Sequence, residues 1–273
     1  MIFDLHVHTT ASDGIYSPAE VIDQACALGL GGLAITDHDT VTGLQEARKQ
    51  ADKYGEILIV IPGIELNTDY LENEVHILGY FINGDDTALL NRLEEIKQAR
   101  TERAVKMIHR LHAMGMIISF EQVKKLARGD LIARPHIAQA LQEKGYVFSI
   151  KEAFEKYIGR DKPAYVPRYK FLPGEAIELI KNAGGISSLA HPGLIKNQNI
   201  IVEVIKMGID ALEVYYPEHS IIQENEFINL SRRYKLLITG GSDFHGSDNK
   251  EKLGCRGINK SEIDNLMKYN SLP

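Results

Sequence analysis

Short apolar segments alternate with amphipathic segments along most of the chain. Seven runs have the length and composition of β-strands: IFDLHVH, GLAIT, EILIVI, VHILGYF, GGISSLA, DALEVYY and LLITG. Between several of them, segments such as SPAEVIDQACALG and PGEAIELIKNAGG carry apolar residues at helical spacing and end at Gly. This alternation predicts an α/β protein with a mainly parallel sheet, either closed into a barrel or open and doubly wound.

One block interrupts this alternation. From about residue 86 to residue 160 the pattern is almost wholly helical and rich in charge, as in LLNRLEEIKQARTERAVKMIHRLHAMG. We interpret residues 86–160 as a helical insertion that caps the substrate site. The flanking ranges, 1–85 and 161–273, then form one barrel domain.

Composition and charge narrow the class of protein. A chain of 273 residues with 44% hydrophobic content can form one large core. A formal net charge of −6 argues against stable binding of duplex DNA, whose recognition uses many phosphate contacts. The N-terminal MIFDLHVH does not resemble a signal peptide, no apolar run is long enough to span a bilayer, and the two cysteines lie far apart. We therefore expect a cytoplasmic protein with no membrane partner, and leave its oligomeric state open.

Histidines and carboxylates recur where predicted strands end. His6 and His8 alternate with apolar residues on the first strand, so their side chains point to the same face. TDHDT, PGIELN, AHPG and GSDFH follow four further strands. In a parallel barrel these ends open on one face. The residues expected to meet there are His6, His8, Asp13, His38, Glu65, His76, His191, Asp243 and His245.

Such a set of imidazoles and carboxylates predicts binding of divalent metal ions. A single His at a strand end is more often a hydrogen-bonding residue than a ligand, but the ordered combination of HxH, TDH, AHP and SDxH is specific. His109, His112 and His219 lie outside this pattern, and we interpret them as structural positions.

The series DLHVHTTASDG, ITDHDT, GIELN, VHILGY, AHPG and GSDFH resembles the polymerase and histidinol phosphatase (PHP) family of metal-dependent phosphoesterases. The resemblance covers nearly the whole chain, including the insertion. Within the family the chain is similar to enzymes that act on nucleoside monophosphates and 3′,5′-bisphosphorylated nucleosides, or that trim RNA from its 5′ end. The resemblance implies a distorted (β/α)7 TIM-like barrel with a trinuclear metal centre.

The resemblance also implies how nine ligands are shared among three ions. The first ion takes His6, His8, Glu65 and Asp243; the second takes Glu65, His76 and His191; the third takes Asp13, His38 and His245. Many family members carry histidine in place of Asp13, and a carboxylate there is expected either to weaken occupancy of the third site or to shift its preference from Zn²⁺ toward Mn²⁺ or Fe²⁺. We favour Mn²⁺ overall, with Fe²⁺, Zn²⁺ and Mg²⁺ as alternatives. His76 is the weakest match, because it lies early in its apolar run, and Asp37 is a candidate acceptor that would orient an imidazole.

Hydrolysis of a phosphate ester follows from such a centre. Metal ions roughly 3.5–4 Å apart can activate a water near neutral pH and hold the phosphoryl oxygens for in-line attack. Glu65, His191 and Asp243 are the residues we expect to carry catalysis, and no Ser or Cys nucleophile is required.

Substrate-binding groups should come from outside the ligand set. Arg134 and His136 open the predicted helix ARPHIAQAL, where backbone N–H groups also favour anions, and the resemblance indicates that this pair contacts phosphate. The alternative is that Arg134 pairs with a surface carboxylate. Arg168 and Lys170 lie in GRDKPAYVPRYK, near the exit of the insertion. This position suits a second phosphate and a stacked base, and the alternative is that the basic stretch is only a solvated rim. We expect a small nucleotide or short RNA as the substrate.

Two other functions compete with this one. Amidohydrolases also carry HxH on the first barrel strand, but their binuclear site relies on a strand-terminal Lys, and here Glu65 is placed where a bridging ligand is needed. A non-catalytic, metal-stabilised binding module would be expected to lack one or more of the nine ligands, all of which are present.

Overall fold

The computed structural model describes residues 1–127, 131–246 and 252–271, and each of the seven predicted strand runs contributes to a strand. The strands are β1 (Phe3–Val7), β2 (Gly32–Ile35), β3 (Ile59–Tyr70), β4 (Asn73–Tyr80), β5 (Ile186–Leu189), β6 (Ala211–Tyr215) and β7 (Leu237–Gly240). Each strand pairs with the next along the chain, in the order β1 to β7. The sheet curls into a nearly closed barrel, which confirms the expected distorted TIM-like fold.

The expectation of a mainly parallel sheet is confirmed, with one exception that matters for the site. β1, β2 and β3 are parallel to one another, and so are β5, β6 and β7, but β4 runs antiparallel to both of its neighbours. A tight turn at Leu71 and Glu72, with φ of 45° and 63°, joins β3 directly to β4. Antiparallel strands can be joined by so short a turn, whereas parallel strands need a crossover.

The third predicted strand is longer than its apolar run. The sequence EILIVI suggested an end near Ile61, yet β3 continues through Pro62 and Gly63 to Tyr70. β2 pairs with it as far as Pro62, and β4 pairs with it from Gly63 onward. The hairpin therefore carries the second half of β3 beyond β2, and Glu65 lies within a strand rather than after one.

The two ends of the sheet meet through the segment that follows β7. Phe244 forms a parallel bridge with Val7 and accepts a hydrogen bond from the His8 backbone at 2.9 Å. The buried Asp4 carboxylate accepts hydrogen bonds from Ser242 N (2.8 Å), Ser242 Oγ (2.6 Å) and Gly254 N (2.8 Å). Asp4 thus fastens β1 to the chain beyond β7.

Helices cover the barrel and one of its ends. They are α1 (Pro18–Ala27), α2 (Leu44–Ala51), α3 (Thr87–Ala113), α4 (Phe120–Leu126), α5 (Arg134–Glu143), α6 (Ile150–Ala153), α7 (Pro173–Asn182), α8 (Asn199–Lys206), α9 (Ile221–Tyr234) and α10 (Lys260–Asn270). α1 shows why they start where they do: the Ser17 side chain accepts from the Glu20 backbone while the Glu20 side chain accepts from the Ser17 backbone. No helix in the described ranges is both long and apolar enough to cross a membrane.

The predicted insertion contains its own apolar core. Buried residues from Ala104 to Ala164 pack together in one cluster. Leu89, Leu93 and Ile96, in the first half of α3, instead pack into a cluster with barrel residues. α3 therefore begins on the barrel and ends in the insertion, and the exact limits 86 and 160 stay a prediction.

Candidate metal centre

All nine predicted ligands lie together at the end of the barrel where the parallel strands terminate. Glu65 is at the middle of this group and is fully buried. Its Oε2 lies 3.3 Å from His6 Nε2, 3.2 Å from His8 Nε2 and 2.9 Å from His38 Nδ1. Its Oε1 lies 2.9 Å from His76 Nδ1 and 3.2 Å from His191 Nε2.

Asp243 completes one tight group of donors. Its Oδ1 lies 3.2 Å from His6 Nε2 and 3.1 Å from His8 Nε2, the same two nitrogens that face Glu65. The backbone of Asp243 has a φ of 54°, in the left-handed region, and its Oδ2 accepts a hydrogen bond from Tyr216 Oη at 3.0 Å. The turn and the tyrosine together aim one carboxylate oxygen at the two imidazoles.

Asp13 and His245 form the outer side of the centre. Asp13 Oδ1 lies 3.3 Å from His245 Nε2 and 4.0 Å from His8 Nδ1. The His8 and His245 rings are stacked, with centroids 4.2 Å apart. The loop after β1 and the loop after β7 thus converge, as the sequence predicted.

His76 reaches the centre because β4 is antiparallel. Its position early in the apolar run would place it at the far end of a parallel strand. In the observed hairpin, His76 pairs with Asn67 in the second half of β3, two residues beyond Glu65. The beginning of β4 therefore lies at the same end of the barrel as the ends of the parallel strands.

Three groups in the described part of the chain could hold a metal ion. They are His6, His8, Glu65 and Asp243; His38, Glu65 and His76; and His8, Asp13, His38 and His245. The first coincides with a predicted ligand set. The second group has His38 where the prediction had His191. The third group contains the predicted set and adds His8. The division of the nine residues among individual ions stays a prediction.

The donor atoms fit divalent cations. Several are buried and have no hydrogen-bond partner among the described residues: His6 Nε2, His8 Nδ1 and Nε2, Asp13 Oδ1, Glu65 Oε2, His76 Nε2 and Asp243 Oδ1. Buried polar atoms are normally paired, because leaving them unpaired costs free energy. Nitrogen and carboxylate oxygen are ligands of Zn²⁺, Mn²⁺ and Fe²⁺, so metal binding would satisfy these atoms.

The centre holds its carboxylates in the charged form. Burial by itself raises the pKa of Glu65, but the imidazoles of His38, His6 and His76 outweigh it and hold that pKa well below the usual range. The same balance, with His6 and His8 as partners, keeps the pKa of Asp243 well below its usual range. Anionic oxygens are therefore available at neutral pH.

Glu213, which we did not predict from the sequence, supports two of the proposed ligands. It is fully buried on β6. Its Oε1 lies 3.0 Å from His6 Nδ1, and its Oε2 accepts a hydrogen bond from the His191 backbone at 2.6 Å. His191 has a φ of 28°, and this hydrogen bond from its backbone N–H fixes the turn that carries it. A glutamate inside the apolar run DALEVYY was the signal that could have revealed it.

Two other side chains support the loops rather than the ions. Asp37 is buried and accepts hydrogen bonds from Thr9 N and Oγ1 (both 2.8 Å) and from Ser12 Oγ (2.6 Å). It therefore shapes the loop that carries Asp13, and the expectation that it orients an imidazole is wrong. His219 is also structural, because its Nδ1 lies 2.8 Å from Val214 O and its Nε2 accepts from the Gly193 backbone at 3.1 Å.

A cavity of about 170 Å³ separates the centre from the insertion. Asp13, His38 and His76 line it on the barrel side. On the opposite side it is lined by apolar residues, which include Met107 and Phe154, and by four arginines: Arg100, Arg103, Arg134 and Arg168. Sequence reasoning named Arg134 and Arg168 but missed Arg100 and Arg103, because α3 carries charge on most of its turns and the pattern does not show which charges face the cavity.

The other two predicted substrate residues are placed differently. His136 is buried below Arg134, and its Nδ1 accepts a hydrogen bond from the Ala133 backbone at 3.1 Å. Burial lowers the pKa of His136, although the nearby Asp13 charge opposes that shift. Lys170 is exposed and is not among the described residues that line the cavity.

Acidic residues of the barrel hold the arginines in place. Asp39, which is buried, accepts from Arg100 Nε at 2.8 Å and also pairs with Arg100 Nη2. Glu74 Oε1 accepts from Arg134 Nη2 at 2.8 Å and from Arg168 Nη2 at 2.9 Å. These ion pairs line the approach to the metal centre, and Arg134 has a carboxylate partner, as the alternative to phosphate binding predicted.

Comparison with known proteins identifies the family. The PHP domain matches residues 4–221. The chain belongs to the PHP domain family. Similar proteins include the 5′-3′ exoribonuclease Rnm of Escherichia coli, which is 34% identical over 253 residues, 90% of this chain and 85% of that protein. A 3′,5′-nucleoside bisphosphate phosphatase of Chromobacterium violaceum is 34% identical over 248 residues, 89% of this chain and 86% of that protein.

A solved structure supports the same assignment. A protein from Bifidobacterium adolescentis, described as a metal-dependent phosphoesterase, superimposes with a TM-score of 0.89 and 28% identity, over 99% of this chain and 96% of that chain. The PHP fold, the metal-ligand groups and the named relatives agree, and the protein is a metal-dependent phosphoesterase.

Proposed function

We propose that this phosphoesterase hydrolyses phosphate esters of small nucleotides that carry a second anionic group, such as 3′,5′-bisphosphorylated nucleosides, or the 5′ ends of short RNA. The observation that carries the proposal is the arginine-lined cavity that opens directly onto the metal centre. The E. coli and C. violaceum relatives are named for substrates of these two kinds.

The two sides of the cavity suit two different parts of such a substrate. The barrel side offers the proposed metal ligands Asp13, His38 and His76, where the scissile phosphate would bind. The insertion side offers guanidinium groups, which bind phosphate oxygens with charge-assisted hydrogen bonds. The Arg134 guanidinium also lies 5.3 Å from the centre of the Phe154 ring, an apolar surface for the sugar or base.

The chain's own residues have separate roles in this proposal. All nine predicted ligands would hold divalent ions, about three with Mn²⁺ favoured, and such ions neutralise phosphoryl charge and lower the pKa of a water. Glu65 supplies a buried negative charge and Asp243 a partly buried one, and Tyr216 orients Asp243 through its hydroxyl. His191 is the third residue we assign to catalysis, and it lies 3.2 Å from Glu65.

The competing functions receive less support. Among the described residues, the cationic side chains within 4 Å of Glu65 are all histidines, so no lysine takes the place expected for an amidohydrolase. A purely structural metal site would not need a cavity lined with four arginines next to it. With a net charge of −6 and one local basic cavity, the protein suits a small anion better than a duplex. A cytoplasmic location stays a prediction.

The test is hydrolysis by protein that has been chelated and then reloaded with Mn²⁺. The substrates are AMP, 3′-AMP, adenosine 3′,5′-bisphosphate, a short 5′-phosphorylated RNA, ribose 5-phosphate and p-nitrophenyl phosphate. We expect Mn²⁺-dependent release of phosphate or nucleotide, with the highest kcat/KM on a nucleotide or RNA substrate. Equal kcat/KM on ribose 5-phosphate would contradict nucleotide selectivity, and activity that persists with chelator would contradict the metal centre.

Arg134→Ala tests the arginine side of the cavity. It should lower kcat/KM for adenosine 3′,5′-bisphosphate by the equivalent of about 1–3 kcal/mol, as is typical of a lost charge-assisted hydrogen bond. The loss on p-nitrophenyl phosphate should be smaller, because that substrate has no second anionic group. Arg232→Ala, on α9, is the matched control for charge, and equal losses on both substrates would place Arg134 on the scissile phosphate instead.

A further inference from the structure

The Glu74 carboxylate lies where two of the cavity's arginines converge. Its Oε1 alone accepts from both Arg134 Nη2 (2.8 Å) and Arg168 Nη2 (2.9 Å). Arg134 opens α5, Arg168 follows the insertion, and Glu74 comes from β4 of the barrel. One oxygen of a barrel carboxylate therefore receives the two donors that could bind an oxygen of a substrate phosphate.

Glu74 also faces the metal centre. It lies two residues before His76 on β4, so both side chains point to the same face of the strand. Both line the cavity that holds the arginines.

The contact is one that can open. The Glu74 side chain is 41% exposed, so its carboxylate can turn toward solvent and be hydrated there. If Glu74 turned away, Arg168 would still face Asp69, whose Oδ2 lies 3.7 Å from Arg168 Nε. The arginines would remain next to the cavity with one fewer anion bound.

We propose that Glu74 is an internal competitor for the second anionic group of the substrate. Binding of a ligand with two separated phosphates displaces Glu74 from Arg134 and Arg168, whereas a ligand with one phosphate leaves it in place. Glu74 thereby lowers affinity for all anions in this part of the cavity and makes productive binding depend on a strong second anion. This inference rests on the proposed function, because it assigns the arginines to the second group of that substrate.

The test uses chelated protein, so that binding is measured without metal and without turnover. Isothermal titration gives the dissociation constant of adenosine 3′,5′-bisphosphate for the wild type, Glu74→Gln and Glu72→Gln. Glu72→Gln removes the same charge from the same hairpin, at an exposed residue of the turn. We expect Glu74→Gln to bind roughly 3- to 10-fold more tightly, because it removes the carboxylate that pairs with both arginines. Glu72→Gln should change binding by less than about twofold.

A residue that only positioned the arginines would give the opposite sign. Glu74→Gln would then bind adenosine 3′,5′-bisphosphate less tightly, and that result, or no change, overturns the proposal. If Glu74→Gln acted only by removing a distant negative charge, its effect on binding would not depend on Arg134. We therefore add Arg134→Ala to the wild type and to Glu74→Gln. The gain from Glu74→Gln should fall to less than about half when Arg134 is absent, and a gain that persists in full also overturns the proposal.

Steady-state kinetics of the Mn²⁺-loaded protein separate this inference from the proposed function. Glu74→Gln should lower KM for adenosine 3′,5′-bisphosphate more than KM for p-nitrophenyl phosphate, with a smaller effect on kcat. If the wild type hydrolyses nucleotides but Glu74→Gln binds no tighter, the inference alone fails. If the wild type hydrolyses no nucleotide, the proposed function fails, while tighter binding by Glu74→Gln still establishes Glu74 as the competitor.

Discussion

Glu65→Gln is the change that tests the metal centre most directly. The substitution keeps the shape of the side chain and removes its charge. Glu65 approaches five imidazole nitrogens at 2.9–3.3 Å and belongs to two of the three groups that could hold a metal ion. Losing it should therefore weaken two sites at once, and activity should fall by orders of magnitude.

The size of the effect on metal affinity can be estimated. Changing an outer-shell partner of a ligand typically weakens metal binding about 10- to 100-fold, so loss of an anionic ligand should cost ~100-fold or more. At a free Mn²⁺ concentration 100 times the dissociation constant, binding stabilises the wild type by ~2.7 kcal/mol. At the same Mn²⁺ concentration a site weakened ~100-fold contributes only ~0.4 kcal/mol. The difference corresponds to roughly 5–9 °C in the Mn²⁺-induced shift of Tm.

The assay compares each protein with and without Mn²⁺ by thermal unfolding, together with elemental analysis of protein dialysed against Mn²⁺. The difference within each protein is the useful quantity, because removing a buried carboxylate also changes the stability of the chelated form. Asp13→Asn is the matched contrast, since Asp13 belongs to one group only. It should retain more bound Mn²⁺ than Glu65→Gln does.

Two results would refute this reasoning. If the Mn²⁺-induced shift of Tm and the metal content of Glu65→Gln matched those of the wild type, Glu65 would not be a ligand. If Asp13→Asn lost more Mn²⁺ than Glu65→Gln, Glu65 would not be a ligand shared by two metal ions.

Three further predictions concern groups around the centre. Glu213→Gln should weaken Mn²⁺ binding about 10- to 100-fold, because the carboxylate orients His6 through its Nδ1. The chelated protein should keep its wild-type far-UV circular dichroism, and unchanged affinity in a Mn²⁺ titration would contradict that role. Asp4→Asn should lower the free energy of unfolding in urea by about 1–3 kcal/mol, since an amide offers one acceptor oxygen to the donors that join β1 to the chain beyond β7. An unchanged free energy of unfolding would show that the barrel closes there without this carboxylate. Arg100 outweighs the effect of burial and lowers the pKa of Asp39, so this pair should stabilise the chelated protein at pH 7 and progressively less as the pH falls below about 4. The difference in urea stability between the wild type and Asp39→Asn should shrink over that range, and a difference independent of pH would contradict the pairing.

The sequence by itself determined the elements and which residues meet in most of the candidate metal centre. A period of two in IFDLHVH places His6 and His8 on one face of a strand, and that face depends only on local backbone geometry. The loops after β1 and β7 bring Asp13 and His245 together because parallel strands end at one side of a barrel. These features follow from local pattern and one general rule of topology.

Only the tertiary structure decided the rest. The direction of β4, which brings His76 to the centre, depends on pairing with β3 and β5 and not on the composition of the strand. Arg103 lines the cavity because α3 crosses from the barrel to the insertion at that point, and a helix with charge on most turns gives no sign of which side will be covered. Glu74 meets Arg134 across 60 residues of chain. Contacts of this kind join groups that are distant in sequence. Local periodicity predicts the type of each element and the face that its residues occupy, but it carries no information about which distant residues will meet.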